Sequence, residues 1–474
     1  MCGIIAFIPR DTTARYDMDR GLDAMAHRGS DERIIKFYDH CVIGYLRMSV
    51  TDQAAPAVGK ANGLDVYLNG EIYNYKELGY TGSETEVLAK GFFAEGDAFA
   101  ERLNGMFSII VVSDTEVKTY SDRYGIKPLY FADLGNGVIC SSEIKPILNY
   151  EGFERRIDFN RVKEWMTVQH PLSQSMMLHG IYDLARINRS RAKWQWKFEP
   201  DYSITYEFAV SEVRRLLLQA INRMRVDEPS GVCLSGGIDS GILAAHTGSA
   251  HSFTVGYEGT EDERPMARLM ARDHHHEIVY NRVEHLPETI FYLEDLRAGA
   301  SWPNYGMYQE AKNYVRILFD GAGADELFAG YEWRYHNTDY WQVVNRTREN
   351  IPSVQRYYEG GNWNFADRFT YDAQNFLPSV LMVGDKLSMA HTLEVRYPFL
   401  DNDLVDFCLT IPYEFKKNKQ VLKDAFACDL PSEILNGPKR GFTSPDWIAG
   451  EGNQARKWSV EAFKTWRKIF TNEQ

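Results

Sequence analysis

At 474 residues the chain is longer than one hydrophobic core usually serves, and with 44% hydrophobic and 25% charged residues it has ample material to bury and no signature of disorder. Its 53 basic residues fall short of 66 acidic ones, a net charge of −13, which excludes a broad electrostatic footprint for nucleic acid or an anionic membrane. No apolar run long enough to span a bilayer, no secretory start and six cysteines without CxxC or zinc-like spacing suit a soluble protein of the reducing cytoplasm.

To about Arg189 the chain reads as short strands separated by turn signals. Cys2 to Ile8, Leu64 to Leu68, Met106 to Val112, Pro128 to Phe131 and Val138 to Cys140 are rich in Ile, Val, Tyr and Phe. Helical patches near Gly21 to Ala26 and Ser83 to Phe93 make this part α+β. The polar stretch Ile187 to Asp201 is the linker candidate, which divides the chain into expected domains 1–190 and 205–474. Beyond it Val210, Val213, Leu217, Ala220, Ile221 and Met224 share one helical face. A strand at Gly231 to Leu234, a helix from Asp239, a strand at Ser252 to Tyr257, a helix near Glu263 to Ala271 and a strand at Val315 to Phe319 follow. That alternation predicts a parallel sheet covered by helices, and after Tyr331 the pattern is mostly helical.

Removal of Met1 would leave Cys2 with a free amine beside its thiol, so one residue supplies nucleophile and base. By itself the MCG start fits a buried strand cysteine equally well. Asn69 and Gly70 follow a strand and offer a side-chain amide and a backbone N–H to an oxyanion. Arg47 has the fork that clamps a carboxylate, and Glu71 and Glu84 the charge that holds an ammonium. Leu234, Ser235, Gly236, Gly237, Asp239 and Ser240 stand between a strand and a helix, where backbone N–H groups and hydroxyls make an anion site. Asp239 suits Mg²⁺, and the absence of a P-loop lysine speaks against ordinary γ-phosphate hydrolysis. His274, His275 and His276 are adjacent, a spacing that rarely converges on one ion, and no metal is assigned to them.

The segments MCGIIAF, HRGSDE, YLRMSVTD, NGEIYNYKEL, GSETEVL, LNGMFSIIVVSD, SDRYGIKPLY and SSEIKPIL, in that order, resemble the class II, N-terminal-nucleophile glutamine amidotransferase domain. HSFTVGYEG, HHEI, FDGAGADELFAGY, DKLSMAHTLEVRYPFLD, KQVLKDAF and PKRGF resemble the asparagine synthetase domain. The resemblance covers nearly the whole chain. It implies an αββα sandwich followed by an α/β parallel-sheet ATP-pyrophosphatase domain with a helical C-terminal part. It further implies Cys2 as nucleophile, Asn69 and Gly70 in the oxyanion hole, Arg47 on the glutamine carboxylate, and Glu71 with Glu84 on its amine. Asp is usual in place of Glu84, and His in place of Tyr45, the latter read as neutral packing. For the second half it implies pyrophosphate on Ser235, Gly236, Gly237, Asp239 and Ser240, the nucleotide beside Val255 and Gly321, Mg²⁺ on Asp239 and Asp325, and Lys419 neutralising developing charge.

The acceptor pattern departs from the family. Ala322 stands where the best-understood members carry an acid-base Glu, and alanine transfers no proton. In the upstream stretch EDLRAGASWPNY only Glu294 and Pro303 to Tyr305 are easy to place, Glu294 as an acceptor-binding residue, while Gly299, Ala300 and Trp302 remove polar grip. The expected substrates are glutamine, ATP and aspartate or another carboxylate, with a homodimer the only protein assembly entertained. A phosphoribosyl or hexose-phosphate amidotransferase would lack SGGIDS. The set Cys2, Asn69, Gly70, Arg47, Asp239, Asp325 and Lys419 speaks against a non-catalytic relative.

Overall fold

The computed structural model describes residues 2–50, 54–271, 273–297, 301–337, 365–437, 445–448, 450 and 453–471. PKRGF at 438–442, Gly299, Ala300 and the end of the YLRMSVTD run lie outside them.

The first ten strands are β1 (Cys2–Pro9), β2 (Glu32–Phe37), β3 (Val42–Arg47), β4 (Gly59–Ala61), β5 (Leu64–Ile72), β6 (Gly105–Val112), β7 (Val117–Ser121), β8 (Tyr130–Asp133), β9 (Gly137–Ser141) and β10 (Ile181–Asp183). They make two antiparallel sheets, ordered β10-β8-β9-β1-β3-β2 and β4-β5-β6-β7. Alternation along the strands decides which face packs where. Cys2, Ile4 and Ala6 join Ile43, Tyr45, Tyr67, Ile110 and Val112 in one buried layer between the sheets. On the outer face of the first sheet, Ile5 and Phe7 share a core with Met18 and Leu22 of the helix Met18–Asp23. On the outer face of the second, Val66, Leu68 and Ile109 meet Val87, Leu88 and Phe92 of the helix Glu84–Glu95. The result is the expected αββα sandwich.

Five further strands, β11 (Ser230–Cys233), β12 (His251–Tyr257), β13 (His274–Tyr280), β14 (Ile317–Phe319) and β15 (Glu394–Arg396), form a parallel sheet ordered β13-β12-β11-β14-β15. Helices that include Ile238–His246, Trp302–Ala311 and Leu377–Met389 pack on it, and the C-terminal part is helical. Apolar residues from both parts form one continuous core. No described helix is long and apolar enough to cross a membrane.

One expectation changes, and two segments gain detail. The helix near Glu263 to Ala271 is one turn, Arg264–Ala267. The histidine triplet opens β13, where alternation sends neighbouring side chains to opposite faces of the sheet. The linker candidate begins inside the helix Leu184–Arg191, and within it Trp196 and Phe198 are buried while Gln195, Lys197 and Glu199 beside them stay exposed.

Candidate functional site

The register of β1 against β3 sets Cys2 opposite Arg47. From the facing sheet β5 presents Asn69, whose Oδ1 accepts the Cys2 N–H at 3.0 Å. The Asn69 Nδ2 is buried with no partner among the described residues, a donor left over for an incoming oxygen. Gly70 has φ of 137°, and a Cβ there would lie 1.8 Å from the Met106 carbonyl oxygen, so only glycine fits. Arg47 is largely buried, its Nη1 3.8 Å from Glu32 and its Nη2 3.4 Å from the Ser49 hydroxyl. Glu84 accepts the Ile72 N–H; burial first, then the charge of Glu71, pushes its carboxyl well above the usual range. An ammonium placed between Glu71 and Glu84 would relieve that repulsion. The structure thus brings together Cys2, Asn69, Gly70, Arg47, Glu71 and Glu84.

Tyr45 corrects the sequence reading. Its hydroxyl lies 2.9 Å from the Cys2 Sγ and 2.7 Å from the Leu68 carbonyl oxygen, so the residue touches the thiol.

The second cluster sits at the C-terminal ends of β11 and β14, where ligands enter parallel sheets. After Leu234 the chain turns through Ser235 and Gly236, and Gly237 caps the helix Ile238–His246. The Ser240 hydroxyl reaches back to the Ser235 N–H at 3.2 Å and its Oγ at 3.1 Å, which fixes the loop. At Gly236, with φ of 73°, a Cβ would sit 2.6 Å from the Ala267 nitrogen. From the neighbouring turn Gly321 approaches so closely that its Cβ would lie 2.9 Å from that of Asp239. Val255 is buried in β12 beside the loop-bearing strand.

Lys419 joins the two turns. Its Nζ lies 2.5 Å from Asp239 and 2.6 Å from Asp325. Burial opposes its charge, but Asp239 and Asp325 outweigh burial and hold the ammonium well above the ordinary lysine value. The ion pairs also hold Lys419 at φ 59°, a left-handed conformation that costs free energy outside glycine. Among the described residues no three His, Cys, Asp or Glu side chains converge on a metal position. Two carboxylates around one cation are nonetheless what Mg²⁺ needs when phosphate and water complete its shell.

On the acceptor side Glu294 proves committed elsewhere. Its carboxylate accepts the N–H groups of Ile144 and Lys145 at 2.8 and 2.7 Å and pairs with Lys386 at 2.6 Å. The Lys145 ammonium adds a fourth contact at 3.2 Å, so the carboxylate is taken up at the junction between the two parts. Trp302 belongs to an aromatic core with Tyr280, Trp447 and Trp458. Sequence reading passed over Arg297, three residues from Glu294. Its guanidinium stacks on Phe376 at 4.7 Å, donates to the Ser379 hydroxyl at 2.8 Å and meets no carboxylate within ion-pair distance among the described residues. Glu326 and Tyr331 lie in its field. Burial, then Asp325 and Asp372, push Glu326 up to about 7. An arginine in an otherwise apolar-looking run was the available signal.

Residues 212–468 match the family model "Asparagine synthase", and residues 1–195 match "Glutamine amidotransferase domain". The chain is 26% identical to asparagine synthetase [glutamine-hydrolyzing] 1 of Bacillus subtilis, covering 96% of this chain and 89% of that protein. It is 28% identical to asparagine synthetase [glutamine-hydrolyzing] of Asparagus officinalis, over 96% and 80%. Among solved structures, a B. subtilis glutamine phosphoribosylpyrophosphate amidotransferase aligns with 73% of this chain and 79% of its own at 13% identity and a TM-score of 0.28, too slight a likeness to bear on the site.

Proposed function

The chain belongs to the asparagine synthase family and is a glutamine-hydrolysing ligase; from that premise we propose that it converts aspartate, glutamine and ATP to asparagine, glutamate, AMP and pyrophosphate. The observation that carries this reading is Lys419 between Asp239 and Asp325, at the mouth of the Ser235 to Ser240 loop.

In this reading Cys2, freed of Met1, attacks the glutamine amide while its own amine takes the thiol proton. Asn69 Nδ2 and the Gly70 backbone receive the oxyanion. Arg47 holds the substrate carboxylate, and Glu71 with Glu84 its ammonium. The released ammonia meets a carboxylate activated as an adenylate. Leu234, Ser235, Gly236, Gly237 and Ser240 seat the phosphates, with Val255 and Gly321 beside the nucleotide. Asp239 and Asp325 would hold Mg²⁺, which would neutralise phosphate charge, and Lys419 offers its ammonium to the oxygens of departing pyrophosphate. Arg297 offers the acceptor a guanidinium.

Ala322 and the committed Glu294 favour a second reading, in which the same chemistry acts on a different carboxylate. Pyrophosphate release assayed over a panel of carboxylic acids, with ammonia supplied, separates the two. Release with aspartate supports asparagine synthesis; release with another acid and none with aspartate overturns it.

A further inference from the structure

We propose that Tyr45 is a catalytic residue of the glutaminase reaction, its hydroxyl donating a hydrogen bond to the sulfur of Cys2 as negative charge gathers there. The inference rests on the reading of Cys2 as nucleophile and adds a residue to it.

The placement follows from the strands. Tyr45 and Arg47 alternate onto one face of β3, and Arg47 stands directly across from Cys2, so Tyr45 is the diagonal neighbour of the nucleophile. Both side chains are buried in the layer between the sheets, Cys2 at 5% and Tyr45 at 2% exposure. In such a layer a phenol keeps its proton and is confined to the partners within reach. Two acceptors are in reach of the single hydroxyl proton, the Cys2 Sγ at 2.9 Å and the Leu68 carbonyl at 2.7 Å. The neighbouring Tyr67 is engaged elsewhere, its hydroxyl 2.8 Å from that of Tyr38.

One proton and two acceptors make a two-position arrangement. While the sulfur carries its own proton, Tyr45 donates to Leu68 and accepts from the thiol. When the Cys2 amine takes the thiol proton, the Tyr45 O–H turns to the sulfur, where a bond to a charged acceptor is worth more than one to a carbonyl. Sulfur then bonds to the amide carbon, the C–N bond breaks, and the amine returns its proton to the departing ammonia; water later cleaves the thioester. Tyr45 gives up no proton at any step. Its second contact fixes β5 one residue before Asn69, so the same hydroxyl sets the sulfur against the oxyanion donors.

The test compares the full-length, processed wild-type enzyme with Tyr45→Phe, Cys2→Ala and the control Tyr67→Phe. Expected for Tyr45→Phe is a fall of about ten- to a hundred-fold in glutaminase kcat with KM for glutamine within twofold. Alkylation by iodoacetamide should slow in parallel, with ammonia-dependent pyrophosphate release intact. Tyr67→Phe should stay near wild type. Glutaminase and alkylation rates of Tyr45→Phe within twofold of wild type would overturn the role of Tyr45, whereas glutaminase surviving in Cys2→Ala would overturn the nucleophile instead. Should Tyr45→Phe also lose ammonia-dependent activity, fluorotyrosine placed at 45 keeps the ring and hydroxyl while making the phenol a stronger donor. It should move the acidic limb of the glutaminase pH profile downward, and an unmoved limb overturns the proposal.

Discussion

The guanidinium of Arg28 reaches Asp385 at 2.9 Å across the junction between the antiparallel and parallel sheets, while its Nε donates to the carbonyl of Cys2 at 3.1 Å. Lys127 adds a second cation to Asp385, also at 2.9 Å. All three side chains are buried. Burial raises the Asp385 carboxyl, but Arg28 and Lys127 outweigh it and hold it below the usual range. Asp385→Asn therefore leaves two cations short of charge in a dry junction, and unfolding in urea should show a loss of about 3–5 kcal/mol. Because Arg28 also grips Cys2, glutaminase activity should fall with it. A variant of unchanged stability would deny the junction its role.

Lys419 gives a sharper separation between the two activities. Its ammonium is the charge balance of Asp239 and Asp325. Lys419→Met should lower ammonia-dependent pyrophosphate release by roughly a hundredfold or more, the scale seen when one preorganised electrostatic group is removed. Glutaminase kinetics at Cys2 should not move. Raised Mg²⁺ should recover part of the binding of ATP in the variant, because the two carboxylates are then left facing each other.

Much of this was legible in the chain itself. Strand β1, the two sheet systems, Cys2, Asn69, the SGGIDS loop and the Asp239, Asp325 and Lys419 set were all read from alternation, turn residues and resemblance. What escaped has a common physical cause. Tyr45, Glu294 and Arg297 owe their contacts to partners 43, 150 and 82 positions away. Local pattern reports which face a residue takes, not what the opposite element brings to it. Glu294 in sequence is a lone acid near a substrate-binding stretch; in the fold it caps the helix Ile144–Leu148. Short strands such as β15, three residues long, carry too little alternation to be seen alone.

Gly70 tests the oxyanion geometry without touching a charge. A methyl group there meets the Met106 carbonyl, and φ of 137° is foreign to alanine. Gly70→Ala should cost about 2–4 kcal/mol of stability through strain. Where the protein still folds, kcat for glutamine should fall far more than KM rises, since in the proposed reaction the displaced N–H serves the transition state. Equal effects on both would mean that Gly70 shapes the binding pocket instead.

His391 governs part of the response to acid. Burial, then the charge of Lys312, with smaller contributions from His285 and His27, lowers its ring to about 4, while a backbone contact with Tyr305 opposes them. The fold therefore favours the neutral ring. Its stabilisation is complete above the unfolded histidine value near 6.5 and is lost as pH falls from there toward 4. The shift corresponds to at most about 3 kcal/mol, less with solvent screening of a ring that is not wholly enclosed. His391→Gln removes the titration while keeping polarity. Urea unfolding at pH 7 and pH 4.5 should show that the stability lost between the two is smaller in the variant than in the wild type by about 2 kcal/mol. An identical loss in both proteins would place the acid sensitivity in other groups, with His170 next in line, since burial and then Arg334 hold its ring well below the usual range too.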